Sequence, residues 1–418
     1  MTRTPVRLVR DRPTWLIYGQ LSLWAYFVYG FTPVVPLLRA EQHTSRMVAS
    51  LHGTAFAVGG VLCGLLMPMI SRRLDRHTRI WSGMAGAAVA ILGLTVARPL
   101  PATLALAAVA SFCGSIAVNA MSAALAEHHG PAGTAAISEA NAAAAGVGIG
   151  APLLVGASVT AGWGWRPGLL AMLVGMAVLA VVATIMGIRI PGGRAAAAGG
   201  TVTRLPRGFW LAFVSIMATA SVEVCMNQWV ADVLRQRVGM AQGAATASVA
   251  AIIGGMFIGR LVGGRLSLRV PAAQIMLWAL ALSAVGFAGF WLADWAPLAI
   301  AGLVVCGIGN GVHFPLGIAL AIEHSGGQPD LATSRTAFAI GIAFGVSPFA
   351  LAALADQVGP HTAFMMVPLF LCLSAAVITP LARGRHPVAG VGAPAPAVPE
   401  LGAVGAGRAV VSPSARVR

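Results

Sequence analysis

Charged side chains are scarce in this sequence, and lysine is absent. Only 9% of the 418 residues are charged, whereas a soluble chain carries roughly 25%. All 27 basic residues are arginines, only 12 residues are acidic, and hydrophobic residues make up 58% of the chain. Together with a mean hydropathy of +0.83, this composition excludes an ordinary soluble domain and predicts a protein of the lipid bilayer.

Other scarce features exclude further classes of protein. The five cysteines all fall within apolar stretches, so they do not form a disulfide framework. No cysteine and histidine cluster has metal-ligand spacing, and no phosphate-binding loop or nucleophile motif is present. We therefore expect no enzyme activity, no catalytic residue, no metal and no cofactor. No ATP-binding segment is present either.

Apolar residues between positions 14 and 382 form twelve stretches of about membrane-spanning length, with most charges at their ends. In lipid each stretch must satisfy its backbone hydrogen bonds internally, so each is predicted to be a helix. The predicted helices are 14–36, 47–68, 80–97, 101–126, 135–160, 165–188, 208–233, 241–264, 272–293, 297–322, 331–355 and 361–382. The predicted fold class is all-α: a polytopic membrane protein of twelve transmembrane helices in two pseudo-symmetric six-helix bundles.

The arginines are unevenly distributed between the two sides of the predicted membrane. With the N-terminus inside the cell, 21 of the 27 fall in cytoplasmic segments, in agreement with the positive-inside rule. Arg260, Arg265 and Arg269, near the cytoplasmic end of the eighth helix and in the turn that follows it, are counted there. This bias sets orientation and attracts anionic lipid rather than nucleic acid. We predict a monomer in a bacterial cytoplasmic membrane, with both termini cytoplasmic and no cleavable signal peptide.

The chain divides into two halves around a short linker that is basic and rich in small residues. The predicted segments are a cytoplasmic N-terminus (1–13), a first bundle (14–188), the linker (189–207), a second bundle (208–382) and a disordered cytoplasmic tail (383–418). Residues 127–152 and 323–348 align without gaps at an offset of 196 positions. A second similarity relates two glycine triplets that precede basic turns, Gly59, Gly60 and Gly64 with Gly254, Gly255 and Gly259. These similarities predict an internal repeat.

Six plus six helices, the repeat and the basic turns after helices 2 and 8 resemble the major facilitator superfamily of secondary transporters. Residues 71–79 (SRRLDRHTR) keep the Asp-Arg and final Arg of that family's Gly-x-x-x-Asp-Arg-x-Gly-Arg turn, but both glycines are replaced. The resemblance covers residues 14–382 and implies alternating access between two bundles. It makes Asp75, Arg76 and Arg79 candidate gating residues, the alternative being a turn that only sets topology.

Two further features concern the interface between the bundles. Residues 146–156 (GVGIGAPLLVG) are similar to the glycine-proline stretch of proton-driven exporters in this superfamily. Tight helix packing is the alternative. Glu139 and Arg335 occupy equivalent positions of the repeat, and we predict that they pair when the cytoplasmic side closes. Two independent residues that reach toward the headgroups are the alternative.

Polar side chains at membrane depth are the candidate substrate and proton sites, because their burial is costly unless they are used or paired. Glu223 leads, with Asn227 one turn further on the same helix face. A carboxyl in such a place can exchange a proton near neutral pH, the alternative being a structural, hydrogen-bonded glutamic acid. The other candidates are Tyr18, Ser22, Tyr26, Asn119, Asn310 and His313. Packing and interhelical hydrogen bonding are alternatives for these residues.

These features predict a secondary transporter of a small molecule that works by alternating access. The leading hypothesis is proton-coupled efflux of an amphipathic or aromatic compound, favoured by the glycine-proline stretch and the aromatic first helix. The alternatives are proton-coupled uptake of a sugar or other polar metabolite, and a non-transporting membrane receptor or scaffold. Polar groups in a central cavity would discriminate between efflux and uptake, whereas a sealed apolar centre would favour the receptor. The expected partners are the substrate, protons and bilayer lipid.

Overall fold

The computed structural model describes residues 8–190, 204–267, 269–326 and 328–383, so most of the predicted linker and nearly all of the tail lie outside it. Across the described residues twelve helices are long and apolar enough to cross a membrane. They are α1 (Arg12–Gln42), α2 (Arg46–Arg73), α3 (Arg76–Val96), α4 (Leu100–His129), α5 (Gly133–Thr160), α6 (Arg166–Ile185), α7 (Arg207–Arg237), α8 (Gln242–Leu266), α9 (Ala272–Leu292), α10 (Ala296–Glu323), α11 (Pro329–Val358) and α12 (Pro360–Arg383). The chain is thus an all-α, multi-pass membrane protein.

Several helices are longer than predicted because their ends are capped or tolerate proline. Helix α1 continues past the predicted end at residue 36, with Pro33 and Pro36 inside it. Pro33 cannot donate to the Tyr29 carbonyl, and the Thr32 hydroxyl donates there instead (3.5 Å). Helix α3 begins four residues before the predicted position 80, because the Asp75 carboxylate caps its N-terminus. The candidate gating arginines therefore lie in the first turn of α3.

The two halves, α1–α6 and α7–α12, repeat one another in their helix packing. A side chain at Gly59 of α2 would overlap the Ala108 backbone of α4, and one at Gly255 of α8 would overlap the Val304 backbone of α10. Each residue of the second pair lies 196 positions after its counterpart in the first. The packing thus follows the offset of the repeat, and the predicted register of the glycine similarity is corrected by one residue.

The halves contact each other through the pairs α2–α11, α5–α8 and α1–α7. On α2, the Ser50 hydroxyl donates to the Pro348 carbonyl (3.1 Å) and the Thr54 hydroxyl donates to the Gly345 carbonyl (2.6 Å). On α5, a Cβ at Gly156 would lie only 2.5 Å from the carbonyl oxygen of Gly243. Because of these contacts, the helices up to Arg383 form one compact unit. The division into domains 14–188 and 208–382 remains a prediction.

Two faces of this unit are distinguished below. The terminal face is the side on which α1 begins and α12 ends. The far face is the opposite side, on which α1 ends and α2 begins.

Candidate functional site

A cavity of about 240 Å³ lies where α1 of the first half meets α7, α8, α10 and α11 of the second half. Its walls combine apolar and polar side chains. The polar ones are Tyr29, Thr32, Thr219, Glu223, Asn227, Arg260 and His313. A cavity at the junction of two related halves is the place where an alternating-access carrier holds its substrate.

Helix α7 supplies three of these polar side chains. Thr219, Glu223 and Asn227 are spaced by four residues and therefore share one helix face. The Thr219 hydroxyl donates a hydrogen bond to the Ser215 carbonyl of its own helix (2.9 Å). By contrast, the side-chain oxygen of Asn227 is buried without a hydrogen-bond partner among the described residues. The predicted pair of Glu223 and Asn227 thus faces the cavity, and Asn227 retains a free acceptor.

Arg260 of α8 lines the same cavity, although the sequence places it among the arginines of the basic turn. Among the described residues, no carboxylate oxygen lies within the 4.0 Å ion-pair distance of its guanidinium. The Glu223 carboxyl and the Tyr29 hydroxyl nevertheless interact with it electrostatically. This corrects the assignment of Arg260 to topology alone and adds a cationic group that the sequence analysis missed.

The position of Tyr29 depends on the glycine-proline stretch of α5. A Cβ at Gly148 would overlap the Tyr29 ring, so only glycine allows the ring to lie against α5. The same stretch includes Gly156, whose backbone contacts α8 directly. Gly148 therefore helps to set the position of the Tyr29 ring, which forms part of the α1 side of the cavity.

Helix α10 supplies His313 to the cavity, whereas Asn310 lies behind it. The side-chain oxygen of Asn310 accepts a hydrogen bond from the Ser283 hydroxyl of α9 (3.0 Å), which joins two helices of the second half. Asn310 is thus placed in helix packing rather than in the cavity lining. Within the described residues, no group of three histidine, cysteine, aspartate or glutamate side chains could hold a metal ion.

Four predicted site residues of the first half do not line this cavity. The Tyr26 hydroxyl donates to the Gly168 carbonyl of α6 (2.5 Å), and the Tyr18 hydroxyl donates to the carboxylate of Glu139 (3.0 Å). Ser22 is buried. The amide of Asn119 is exposed and donates to the Ser115 carbonyl of its own helix (2.8 Å). Each of these groups except Ser22 is satisfied by a local or intra-half partner.

Apart from Tyr29, the large aromatic side chains of α1 do not line this cavity. Phe27 is fully buried and stacks on Phe31, with ring centroids 5.4 Å apart. Trp24 and Phe31 both stack on Phe56 of α2, at 6.1 and 6.0 Å. Trp24 and Phe27 thus belong to the core of the first half, whereas Phe31 and Phe56 also line a smaller cavity beside the first one, together with Gln228 of α7 and Phe344 of α11.

A network of four charged side chains joins the two halves on the far face. Asp232 of α7 is only 2% exposed and lies 3.3 Å from the guanidinium of both Arg39 and Arg46. Arg46 also lies 3.5 Å from Asp356 of α11. Asp356 in turn accepts the backbone N–H groups of Arg46 (3.2 Å) and Met47 (2.9 Å), which are the first residues of α2. One half thus caps a helix of the other, and this network ties the two halves together on the far face.

The described ion pairs of the terminal face lie within the first half. Arg76 pairs with Glu127 of α4 (2.7 Å). Arg10 binds both carboxylate oxygens of Glu139, at 2.7 and 2.9 Å. The predicted pairing of Glu139 with Arg335 is therefore not formed in this structure, because Arg10 already occupies the carboxylate. Arg335 itself is exposed.

Asp75 acts as a helix cap in this structure. Its carboxylate accepts the hydroxyl (2.5 Å) and backbone N–H (3.3 Å) of Thr78, and these hydrogen bonds lower the pKa of Asp75 below its ordinary value. Arg79, in the same turn, is buried. Any gating role of Asp75 must therefore be separated from its capping role.

Replacement of Asp75 by asparagine separates the two roles, because Asn and Asp are equally good N-caps. We expect Asp75→Asn to leave the free energy of unfolding within about 0.5 kcal/mol of the wild-type value. We also expect it to shift the carrier toward a state open at the terminal face, which cysteine accessibility from each side would measure. Asp75→Ala is the control for the cap and should cost about 1 kcal/mol. If cysteine accessibility and transport are both unchanged in Asp75→Asn, the turn serves only to set the membrane topology.

Twelve spanning helices in two related halves, with charged side chains in a cavity between them, define a membrane transporter. The family model described as Major Facilitator Superfamily matches residues 16–328 and 212–414, and the chain belongs to that family. A segment of 80 residues is 42% identical to the cyanate transport protein CynX of Escherichia coli (strain K12). That segment spans 18% of this chain and only 20% of CynX.

Solved structures of transporters share the fold at low sequence identity. A bacterial homologue of the human lysosomal transporter Spinster, inward-facing and unoccupied, has a TM-score of 0.68 at 15% identity, over 90% of this chain and 97% of that one. The transporter FucP in its outward conformation has a TM-score of 0.63 at 15% identity, over 88% and 98% of the two chains. These similarities extend over nearly the whole of the described helices.

Proposed function

We propose that the protein is a proton-coupled carrier that takes up a small polar or charged molecule through the cavity at the junction of its halves. The observation that carries this proposal is the location of Glu223 on the cavity wall, beside Arg260 and Asn227. A carboxyl at this depth is costly to bury unless it is used. A group that binds a proton in one facing state and releases it in the other provides coupling to a proton gradient.

The chemistry of the cavity supports uptake of a polar solute over efflux of an aromatic one. The cavity wall carries an acidic, a basic and an imidazole side chain, whereas Trp24 and Phe27 of α1 pack on Phe56 and Phe31 and do not line it. The segment similar to a cyanate transport protein also supports a small, charged solute. The same polar lining argues against a non-transporting receptor, for which a sealed apolar centre is expected.

Efflux of an amphipathic compound is the second candidate function. It is favoured by the glycine-proline stretch of α5, which contacts α8 across the junction of the halves through Gly156. The cavity also has apolar walls, which include Ile216, Phe314 and Phe344. An amphipathic substrate would use both kinds of surface.

We further propose that the terminal face is cytoplasmic and the far face external, in the bacterial cell membrane, with the carrier acting as a monomer. The support is the arginine distribution: without Arg260, which lines the cavity, 20 of the 27 arginines lie in segments of the terminal side under this orientation. The charged network of Arg39, Arg46, Asp232 and Asp356 then closes the external side.

A counterflow screen in proteoliposomes with an imposed pH gradient tests the proposed function. The panel contains small anions, neutral sugars and amphipathic amines. We expect a small polar compound to accumulate on the alkaline side, by at most tenfold per pH unit for one proton per substrate. Extrusion of amphipathic amines in exchange for protons would favour the second candidate. Equilibration without any effect of the pH gradient would contradict proton coupling.

A further inference from the structure

Arg260 carries a positive charge in the cavity, and no ion-pair partner among the described residues lies at contact distance from it. Among the described residues, every ion-paired arginine lies near a helix end. Their partners are Glu41, Glu127, Glu139 and the far-face aspartates. Arg260 lies inside α8, six residues before its end at Leu266. A cation held in low-dielectric surroundings is stable only when an anion lies close by. Glu223 is the sole acidic side chain in the described lining of the cavity.

The groups around Arg260 are suited to a small anion. A guanidinium presents a planar fork of N–H donors that matches a carboxylate or a similar small anion. The Tyr29 hydroxyl, within electrostatic reach of Arg260, is a further donor. The remaining wall is largely apolar, with Val28, Ile216 and Phe314 among its residues. Such a wall disfavours a strongly hydrated dianion, and one guanidinium balances one negative charge.

We infer that the cavity binds a small monoanion on Arg260, and that Glu223 takes up one proton when this anion binds. This inference rests on the proposed function and names its substrate class. In the empty carrier, ionised Glu223 serves as the counter-ion of Arg260. In the loaded carrier, the substrate anion replaces that counter-ion, and the proton neutralises the Glu223 carboxylate. The cavity therefore has no net charge in either state. The empty and the loaded carrier can both reorient across the bilayer without a buried charge imbalance.

This charge balance predicts electroneutral symport of one monoanion with one proton. The titratable and charged groups that face Arg260 are Glu223 from α7, Tyr29 from α1 and His313 from α10. The residues that α11 contributes to the lining, Ile340 and Phe344, are apolar. His313 is therefore the one other group that could carry the proton, and His313→Gln distinguishes its role from that of Glu223.

Thermal unfolding of the purified full-length protein tests anion binding without any transport assay. The probes are sodium cyanate, formate, acetate and benzoate, each compared with sodium chloride at equal ionic strength. Formamide, acetamide and benzamide are the neutral counterparts of the three carboxylates. We expect at least one anion, and no amide, to raise the melting temperature by about 2–4 °C near 100 times its Kd. The shift should grow as pH falls, because binding takes up a proton.

Variants of two arginines on α8 assign the shift to the cavity. Arg260→Gln should raise the Kd about tenfold or more, because a charge-assisted hydrogen bond is lost. Arg260→Lys keeps the charge without the planar fork, and it should show an intermediate Kd even if the glutamine variant fails to fold. Arg265→Gln is the matched control, since Arg265 is exposed on the same helix and does not line the cavity. It should bind like the wild type.

The outcomes separate this inference from the proposed function. Anion binding that depends on Arg260 but not on pH would support the anion site and contradict the proton step. Proton-coupled uptake of a neutral or cationic compound, without Arg260-dependent anion binding, would overturn the inference and leave the proposed function intact. No Arg260-dependent shift with any anion of the panel would also overturn the inference. In liposomes, uptake that collapses the membrane potential would contradict electroneutral symport.

Discussion

Glu223→Gln is expected to abolish uphill accumulation of substrate while leaving exchange of substrate across the membrane within about twofold of the wild type. Glutamine keeps the size and hydrogen-bonding capacity of a protonated glutamic acid but cannot release the proton. The loaded carrier can therefore still reorient. The empty carrier would hold Arg260 without a counter-ion, and its return across the bilayer would be strongly slowed.

Two liposome measurements check this expectation. With one pH unit across the membrane, the wild type should concentrate substrate up to about tenfold, whereas Glu223→Gln should equilibrate it. With substrate on both sides and no gradient, exchange should continue in the variant. Glu323→Gln is the matched control, because Glu323 lies exposed at the end of α10. If Glu223→Gln still concentrates substrate with a normal pH dependence, Glu223 is structural, and His313 becomes the next candidate for the proton site.

The helices and their pairwise repeat could be predicted from the sequence because they depend on local physics. Apolar length fixes a spanning helix, and the four-residue spacing of Glu223 and Asn227 fixes a shared face. The offset of 196 residues between the halves even predicts the helix contacts, since Gly59 and Gly255 pack against equivalent partners. The spanning helices and the shared face follow from local spacing, and the repeat follows from comparing the two halves of the sequence.

The remainder of the site depends on contacts between distant segments of the chain, and the spacing of residues in the sequence does not predict such contacts. Tyr26 looks like a cavity residue in the sequence, but its hydroxyl is bound by the Gly168 carbonyl, 142 positions away. Arg260 looks like one more basic residue before a cytoplasmic turn, because the positive-inside rule treats every such arginine alike. A usable signal was present, since Arg260 directly follows Gly259, which packs closely on α10 and keeps this turn of α8 inside the bundle.

Removal of the Asp232 carboxylate is expected to open the far face. Asp232 is nearly inaccessible and neutralises Arg39 and Arg46, so Asp232→Asn would leave two partly buried guanidinium groups without this partner. Breaking a buried ion pair in this way costs about 3 kcal/mol or more. In the state open at the far face, water solvates the same arginines and the cost is small. The change therefore acts on the equilibrium between states and should raise the open population by about a hundredfold.

The accessibility of a cysteine at position 50 measures this shift. Ser50 is buried under the far-face network, where its hydroxyl donates to the Pro348 carbonyl. In a Cys372→Ser background, Ser50→Cys should react with an impermeant maleimide much faster when Asp232→Asn is also present. Cys372 is replaced because it is the one exposed native cysteine among the described residues.

Asp294→Asn is the matched control. Asp294 pairs with Arg237 (2.7 Å) on the same face, but both residues belong to the second half and Asp294 is 80% exposed. An exposed pair within one half contributes little, so this control should leave labelling unchanged. Equal labelling rates in the two variants would mean that the Asp232 network does not hold the far face closed, and that the packing of α2 on α11 and of α5 on α8 is sufficient to close it.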